Sequence, residues 1–201
     1  MPDSLPLYLV DDDAAILDSL SFLLTQYGYT AQTFQQGQDF LTQVNISEPG
    51  CVILDSRMPE ITGQEIQQKL LECDSPLGII FLTGHGDLPM AVSAFRKGAC
   101  DFFQKPVAGQ ALADAIKKAH AYSRNTFEQM ILQQRFETLT PREQDVMEQA
   151  IQGLTNKQIS QALFVSLRTV EVHRARMMKK LGVHNLAELA KYTKLAHIES
   201  S

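Results

Sequence analysis

Polar side chains that could take part in chemistry follow four of the short apolar segments in the first half of the chain. Acidic residues follow the first and third segments, a threonine follows the fourth, and a Lys-Pro pair follows the fifth. These residues are Asp11, Asp12, Asp13, Asp55, Thr83 and Lys105-Pro106. Because the carboxyl ends of parallel strands meet at one edge of a sheet, carboxylates, a hydroxyl and an ammonium would share one pocket there.

Such a pocket suits phosphoryl transfer. Clustered carboxylates repel one another unless a hard cation joins them, and oxygen-only ligands suit Mg²⁺. A carboxylate held beside Mg²⁺ can attack a phosphoryl donor and form an aspartyl phosphate. Lys105 would neutralise charge on the transferred group, and Thr83 would donate a hydrogen bond to it.

An alternation of strands and helices would position these residues. The apolar segments indicate strands at 7–10, 30–34, 51–54, 78–82 and 101–103, and helices are predicted at 14–27, 36–45, 62–72, 87–98 and from 108. This order predicts an α/β fold, a doubly wound parallel five-stranded sheet with helices on both faces. The last helix continues toward residue 137 with little turn chemistry, which indicates a helical linker that either forms a dimer or joins two domains.

This ordered set of residues resembles the receiver-domain family over residues 5–122. The resemblance implies that Asp55 is the phosphoacceptor. It also implies that Asp11, Asp12 and Asp55 hold Mg²⁺, with the backbone carbonyl of Arg57 as a further ligand.

The same resemblance assigns roles to residues around the acidic site. Thr83 and Phe102 match the switch residues, Lys105 stabilises the phosphoryl group, and the bond between Lys105 and the following proline is implied to be cis. Separately from the resemblance, Arg57 and His85 lie two residues beyond Asp55 and Thr83 and would face the pocket mouth, where they either steer hydrolytic water or are simply solvated.

A helix-turn-helix pattern occupies the second half of the chain. The string TPRE at 140–143 is a capping-box pattern. It begins a run of helices predicted at 141–151, 156–163, 167–181 and 185–197. In the third of these, Ser166 suits the N-cap, and Val170, Met177 and Leu181 would face the core. The opposite face would carry Arg168, Val172, Ala175, Arg176 and Lys179, with Glu171 at its margin. That basic face suits a DNA major groove, but a solvated helix surface has a similar composition.

The string RTVEVHRARMMKKLGV, with LTPRE and TNKQIS before it, resembles the LuxR-type helix-turn-helix over residues 136–198. Combined with a receiver, it is the arrangement of NarL/FixJ-family response regulators. The chain resembles the FixJ branch in two segments, TGHGDLPMAV and RTVEVHRA. It is also similar to the TtrR-like regulators of tetrathionate respiration in FLTGHGDLPMAV, DFFQKPV and RTVEVHRARMMKKLG with NLAEL. One departure is Leu167, where FixJ-like members often have proline, which concerns the helix start more than base readout.

The resemblance also implies the DNA contacts. The family's base-contact positions correspond to Glu171, Val172 and Ala175. The candidates for phosphate or groove contacts are Arg168, Arg176 and Lys179.

We therefore expect a two-component response regulator and transcription factor rather than an enzyme. The expected domains are a receiver at 1–122, a helical linker at 123–137 and a LuxR-type DNA-binding domain at 138–201. The expected partners are a sensor histidine kinase, double-stranded promoter DNA, RNA polymerase and, on activation, a second copy of the chain.

Composition agrees with this division. The net charge of −5 combines a first part, residues 1–120, with 15 acidic and 7 basic side chains and a second part with 8 acidic and 11 basic ones. A modestly basic second part is compatible with a polyanionic partner. No long uncharged apolar run and no signal peptide are recognisable, and the three cysteines lack metal-like spacing, so we expect a cytoplasmic protein with reduced thiols.

Two other functions fit parts of the pattern. An aspartate-nucleophile phosphatase would also place Asp55 after a strand beside Mg²⁺, but Asp55-Ser56-Arg57 lacks the second carboxylate of the DxD element in such enzymes. A constitutive DNA-binding protein could carry a degenerate receiver, but the complete acidic, hydroxyl and lysine set argues against it.

Overall fold

The computed structural model describes residues 5–84 and 88–196. The chain divides into two compact units, Met1–Phe127 and Glu128–Ser201. Within the described ranges, no helix combines the length and apolar character needed to cross a membrane.

The first unit alternates strands and helices, as the sequence predicts. Its elements are β1 (Leu7–Val10), α1 (Ala14–Thr25), β2 (Ala31–Phe34), α2 (Gly37–Gln43), β3 (Cys51–Leu54), α3 (Gly63–Glu72), β4 (Gly78–Thr83), α4 (Leu88–Arg96), β5 (Asp101–Gln104) and α5, which begins at Gly109. The five strands form one sheet in the order β2-β1-β3-β4-β5, and all neighbours are parallel. The predicted fold class is confirmed.

Helices cover both faces of this sheet. Side chains from α1 and α5, such as Leu17 and Ile116, pack on one face, and side chains from α2 and α3, such as Phe40 and Ile66, pack on the other. Every residue of β3 and β4 is buried. Central strands that are buried on both faces need continuous apolar sequence, which is why CVIL and GIIFLT show no alternation of polar and apolar residues.

The second unit is helical. Its elements are the end of α5 (Gly109–Glu137), α6 (Pro141–Ile151), α7 (Asn156–Ala162), α8 (Leu167–Leu181), α9 (Leu186–Leu189), a 3₁₀ turn (Ala190–Tyr192) and α10 (Thr193–Ala196). The predicted capping box at Thr140 and Glu143 is present. Gly182 ends α8 in the left-handed conformation with φ of 67°. Helix α5 continues without interruption through the predicted linker at 123–137. The domain limits expected from the sequence, 1–122, 123–137 and 138–201, stay a prediction.

One expectation for the second unit is wrong. The sequence predicts a single helix over 185–197, but its described part is two short helices joined by the 3₁₀ turn. The Tyr192 side chain is fully buried at this turn, and its hydroxyl donates to the carbonyl of Leu181 over 2.8 Å. The buried ring and its hydrogen bond hold the backbone at this turn, where the α-helix is interrupted.

An ion pair between a buried glutamate and a partly exposed lysine joins α6 to α8. Glu143 is 2% exposed, and its Oε2 accepts from Lys180 Nζ over 2.5 Å. Burial acts to raise the pKa of the Glu143 carboxyl, but the hydrogen bonds from Lys180 and Thr140 outweigh it, and the pKa is lowered. Because the folded-state pKa lies below the unfolded one, this group stabilises the fold above the ordinary glutamate pKa, and the contribution is lost as pH falls through the lowered value.

We predict that Glu143→Gln lowers the unfolding free energy of this unit by about 1 kcal/mol at neutral pH, because glutamine keeps the cap but loses the ionic bond to the partly exposed Lys180. The loss should shrink as pH falls below the ordinary glutamate pKa and disappear below the lowered folded-state pKa, where the native carboxyl is protonated too. Urea titrations at pH 7 and pH 3.5 measure both effects. A loss of equal size at both pH values would contradict the ionic origin.

Candidate functional site

The carboxyl ends of β1, β3 and β4 bring the predicted acidic and hydroxyl residues to one edge of the sheet. Val10 pairs with Leu54 at the ends of β1 and β3, so the residues that follow them, Asp11 and Asp55, lie side by side. The amide of Asp55 donates to the carbonyl of Val10 over 2.9 Å, which extends this pairing into the site. Both aspartates are buried, with 4% and 6% of their surface exposed.

Lys105 joins these two aspartates. Its Nζ forms an ion pair with Asp11 Oδ2 and lies 2.8 Å from Asp55 Oδ1. Burial raises the pKa of the Asp11 carboxyl, although the hydrogen bond from Lys105 opposes this. Burial acts to lower the pKa of the Lys105 ammonium, but the bonds to both carboxylates outweigh it and the pKa is raised. The edge therefore holds a fixed positive charge between two carboxylates.

The other two aspartates of the first cluster differ in position. Asp13 is the N-cap of α1 and accepts from the amide of Ala15 over 2.9 Å, so it serves the helix and stands outside the acidic pair. Asp12 is exposed. Among the described residues, no three His, Cys, Asp or Glu side chains lie close enough together to hold a metal ion. Asp12 thus follows Asp11 in the sequence but does not form a metal-binding cluster with the buried Asp11 and Asp55.

Ser56, the residue after Asp55, forms a hydrogen bond that the sequence did not predict. Ser56 is 1% exposed, and its hydroxyl donates to Thr83 Oγ1 over 2.5 Å. On the other side, Asp55 Oδ2 accepts from the amide of Arg57 over 2.6 Å. No motif in a single sequence marks Ser56, since a small hydroxyl residue after a strand is ordinary; only the strand register reveals its neighbour.

The structure also describes Phe102, Arg57 and the peptide bond that follows Lys105. The Phe102 ring is partly buried, with its centroid 6.2 Å from that of Phe81. The peptide bond from Lys105 to Pro106 is cis, as the resemblance implied. The Arg57 side chain is exposed, and His85 lies outside the described residues.

In the second unit, α8 separates a buried face from an exposed one, as predicted. Val170, Met177 and Leu181 are fully buried. The predicted DNA contacts Arg168, Glu171, Val172, Ala175, Arg176 and Lys179 are all exposed. Ser166 caps the helix by accepting from the amide of Thr169 over 3.1 Å, so α8 begins at Leu167 although this position lacks the family's proline.

The cations of α8 fall into two groups. Arg174 donates to Asn156 Oδ1 on α7 over 2.7 Å, and Lys180 binds Glu143 on α6. These two fasten α8 to its neighbours. Within residues 5–84 and 88–196, no acidic side chain forms an ion pair with Arg168, Arg176 or Lys179. Among the described residues, the exposed face of α8 therefore carries cations without an acidic partner, and such cations can neutralise phosphates of a polyanion.

Comparison with known proteins assigns both units. The response regulator receiver domain family matches residues 7–117, and the luxR family of bacterial regulatory proteins matches residues 137–193. The tetrathionate response regulatory protein TtrR of Salmonella typhimurium is 40% identical over 195 residues, which cover 96% of this chain and 95% of that protein. The transcriptional regulatory protein FixJ of Bradyrhizobium diazoefficiens is 39% identical over 189 residues, which cover 92% of each chain.

Solved structures agree. The response regulator StyR has a TM-score of 0.71 at 39% identity, covering 95% of this chain and 98% of that one. Full-length FixJ from B. japonicum has a TM-score of 0.57 at 38% identity, covering 96% and 97%. A receiver domain thus precedes a LuxR-type DNA-binding domain, and the predicted resemblance, including the TtrR-like one, is confirmed. The chain belongs to the NarL/FixJ family of response regulators.

Proposed function

We propose that Asp55 accepts a phosphoryl group from a sensor histidine kinase and that this modification controls DNA binding by the second unit. The observation that supports it most is the Lys105 ammonium, which contacts both Asp11 and Asp55 at the strand ends. A buried carboxylate beside a fixed cation is a suitable acceptor, because the cation neutralises the charge that arrives with the phosphoryl group.

In the transfer, an Asp55 carboxylate oxygen attacks the phosphorus and the bond from phosphorus to the histidine nitrogen of the kinase breaks. The amide of Arg57, 2.6 Å from Asp55 Oδ2, holds the carboxylate in place during the attack. Lys105 then pairs with the phosphoryl oxygens, and the Thr83 hydroxyl donates to one of them. The chain accepts one group per molecule and does not turn over exogenous phosphoesters.

The donor set at this edge fits Mg²⁺. Asp11 and Asp55 direct carboxylate oxygens to the same ammonium, so the two carboxylates lie close together, and hard oxygen donors are the ligands that Mg²⁺ prefers. The residues that would hold it are Asp11, Asp55 and, through its backbone carbonyl, Arg57. Asp12, which is exposed and apart from this pair, would complete the set by turning toward the ion. When bound, Mg²⁺ supplies positive charge that neutralises the phosphoryl oxygens.

Asp12→Ala is expected to weaken Mg²⁺ binding by at least about tenfold and to slow phosphorylation with it, because too few carboxylate oxygens remain. Calorimetric titration with Mg²⁺ measures the affinity. Asp13→Asn is the matched control, since it removes a neighbouring charge while asparagine still caps α1. Equal losses in both variants would attribute the effect to the local electrostatic field and contradict a ligand role for Asp12.

Phosphorylation would shift an existing equilibrium in which Thr83 and Phe102 move together and alter the face formed by α4, β5 and α5. That face then dimerises, releases the DNA-binding unit, or does both. The activated protein would act in the cytoplasm, where it binds promoter DNA and engages RNA polymerase.

We expect the unphosphorylated protein to be mainly monomeric and a stable phosphoryl mimic to favour dimers on paired half-sites. Light scattering with and without such DNA reports the mass directly. An unchanged mass on activation in both conditions would contradict dimerisation.

A small acyl phosphate, supplied with and without Mg²⁺, tests the proposed function. We expect Mg²⁺-dependent labelling that saturates at one phosphoryl group per chain and disappears when Asp55 is replaced. Continuous hydrolysis of unrelated phosphoesters would instead support a phosphatase. Absence of labelling would mean that the receiver has only a structural role.

A further inference from the structure

Ser56 lies beside the proposed phosphoacceptor, and the register of the sheet places it opposite Thr83. Cys51 to Leu54 of β3 pair with Gly78 to Phe81 of β4. Continuing this register two residues beyond the strand brings Ser56 to Thr83, and their hydroxyl oxygens lie 2.5 Å apart. Both side chains are buried, each 1% exposed, so water does not compete strongly for this bond.

The backbone around Ser56 leaves this side chain little freedom. The carbonyl of Ser56 accepts from the amide of Gly63 at the start of α3 over 3.4 Å. A Cβ at Gly63 would lie only 2.3 Å from the carbonyl oxygen of Asp55, so the chain approaches Asp55 and Ser56 more closely than any other residue type at position 63 would allow. Ser56 is therefore held between Asp55, α3 and the end of β4.

The direction of the hydrogen bond matters for Thr83. Ser56 is the donor and Thr83 Oγ1 is the acceptor. A threonine hydroxyl has a single hydrogen, and when its oxygen accepts from a neighbour, that hydrogen points away from the neighbour and becomes a stronger donor. The contact thus restricts the directions in which Thr83 can donate.

We propose that Ser56 is a positioning residue that orients the Thr83 hydroxyl to donate to a phosphoryl oxygen on Asp55. This inference rests on the proposed function, because it assumes that Asp55 carries the phosphoryl group. Ser56 itself touches neither the phosphorus nor the donor; it acts through Thr83. It makes the stability of the phosphorylated state depend on a residue outside the predicted receiver set.

A double-mutant cycle with beryllofluoride, a stable mimic of the phosphoryl group, tests the proposal on the full-length chain in the presence of Mg²⁺. Ser56→Ala should weaken beryllofluoride binding about fivefold to tenfold, as expected for one buried hydrogen bond. In the Thr83→Val background, which keeps the shape of threonine but lacks its hydroxyl, Ser56→Ala should have an effect of less than about twofold. Ser56→Cys, which nearly keeps the volume but donates weakly, should also lose affinity.

The outcomes separate this inference from the proposed function. Failure of the unmodified protein to bind beryllofluoride would overturn the proposed function and the inference with it. If the unmodified protein binds, but Ser56→Ala binds equally well, more tightly, or with the same loss in the Thr83→Val background, only the role of Ser56 is overturned. Should Ser56→Ala fail to fold, Ser56→Cys decides by the same comparison.

Discussion

Replacement of Asp55 by asparagine is expected to abolish phosphoryl labelling while leaving the fold intact. Asparagine has nearly the same shape and can still accept from the amide of Arg57, but its amide is not a nucleophile toward phosphorus. The attraction to Lys105 is also reduced, because one of its two carboxylate partners becomes neutral. Labelling with a radioactive acyl phosphate measures the loss, and circular dichroism checks the fold.

The matched control is Asp74→Asn. Asp74 is exposed and has a positive φ of 49°, a conformation in which asparagine is well tolerated. This variant should label to the same extent as the unmodified chain. Full labelling of Asp55→Asn would show that another residue accepts the phosphoryl group and would refute the assignment.

The second large effect concerns DNA. Lys179→Ala should weaken binding to specific and random DNA alike and should reduce the salt dependence by about one unit of slope, because a long cationic side chain at an exposed position suits a phosphate. Glu171→Ala should cost about 1–3 kcal/mol at a single base position and relax the preference there, because a carboxylate can accept from a cytosine amino group. Binding to a randomised half-site at several salt concentrations measures both.

A charge control accompanies this experiment. Lys191→Ala removes the same charge from the 3₁₀ turn rather than from α8, and it should leave the salt slope nearly unchanged. If Lys179→Ala shifts the base preference while Glu171→Ala does not, the proposed orientation of α8 on DNA is wrong.

Much of the receiver edge could be predicted because residues at parallel strand ends follow directly from the strand pattern. Asp11 and Asp55 lie side by side because the residues before them, Val10 and Leu54, are paired in the sheet. The buried and exposed faces of α8 were equally predictable, since helical periodicity separates Val170 from Arg176 without tertiary information. In both cases local geometry determines the result.

Features that depend on packing could not be predicted in this way. The bond from Ser56 to Thr83 needs the register between β3 and β4, which a single sequence does not specify. The 3₁₀ turn at Tyr192 depends on a buried partner, the carbonyl of Leu181, eleven residues away. The N-cap role of Asp13 was not predicted, although the predicted helix begins at residue 14 and aspartate is a common N-cap residue.

The most direct test of the account compares DNA binding by the unmodified chain and by Asp55→Asn, each with and without an acyl phosphate and Mg²⁺. DNA fragments selected from a genomic pool by the unmodified chain serve as the probe. We expect the phosphodonor to change the affinity of the unmodified chain for these fragments and to leave that of Asp55→Asn unchanged. Equal responses of the two proteins, or no response of the unmodified chain once it is fully labelled, would contradict the control of DNA binding by Asp55.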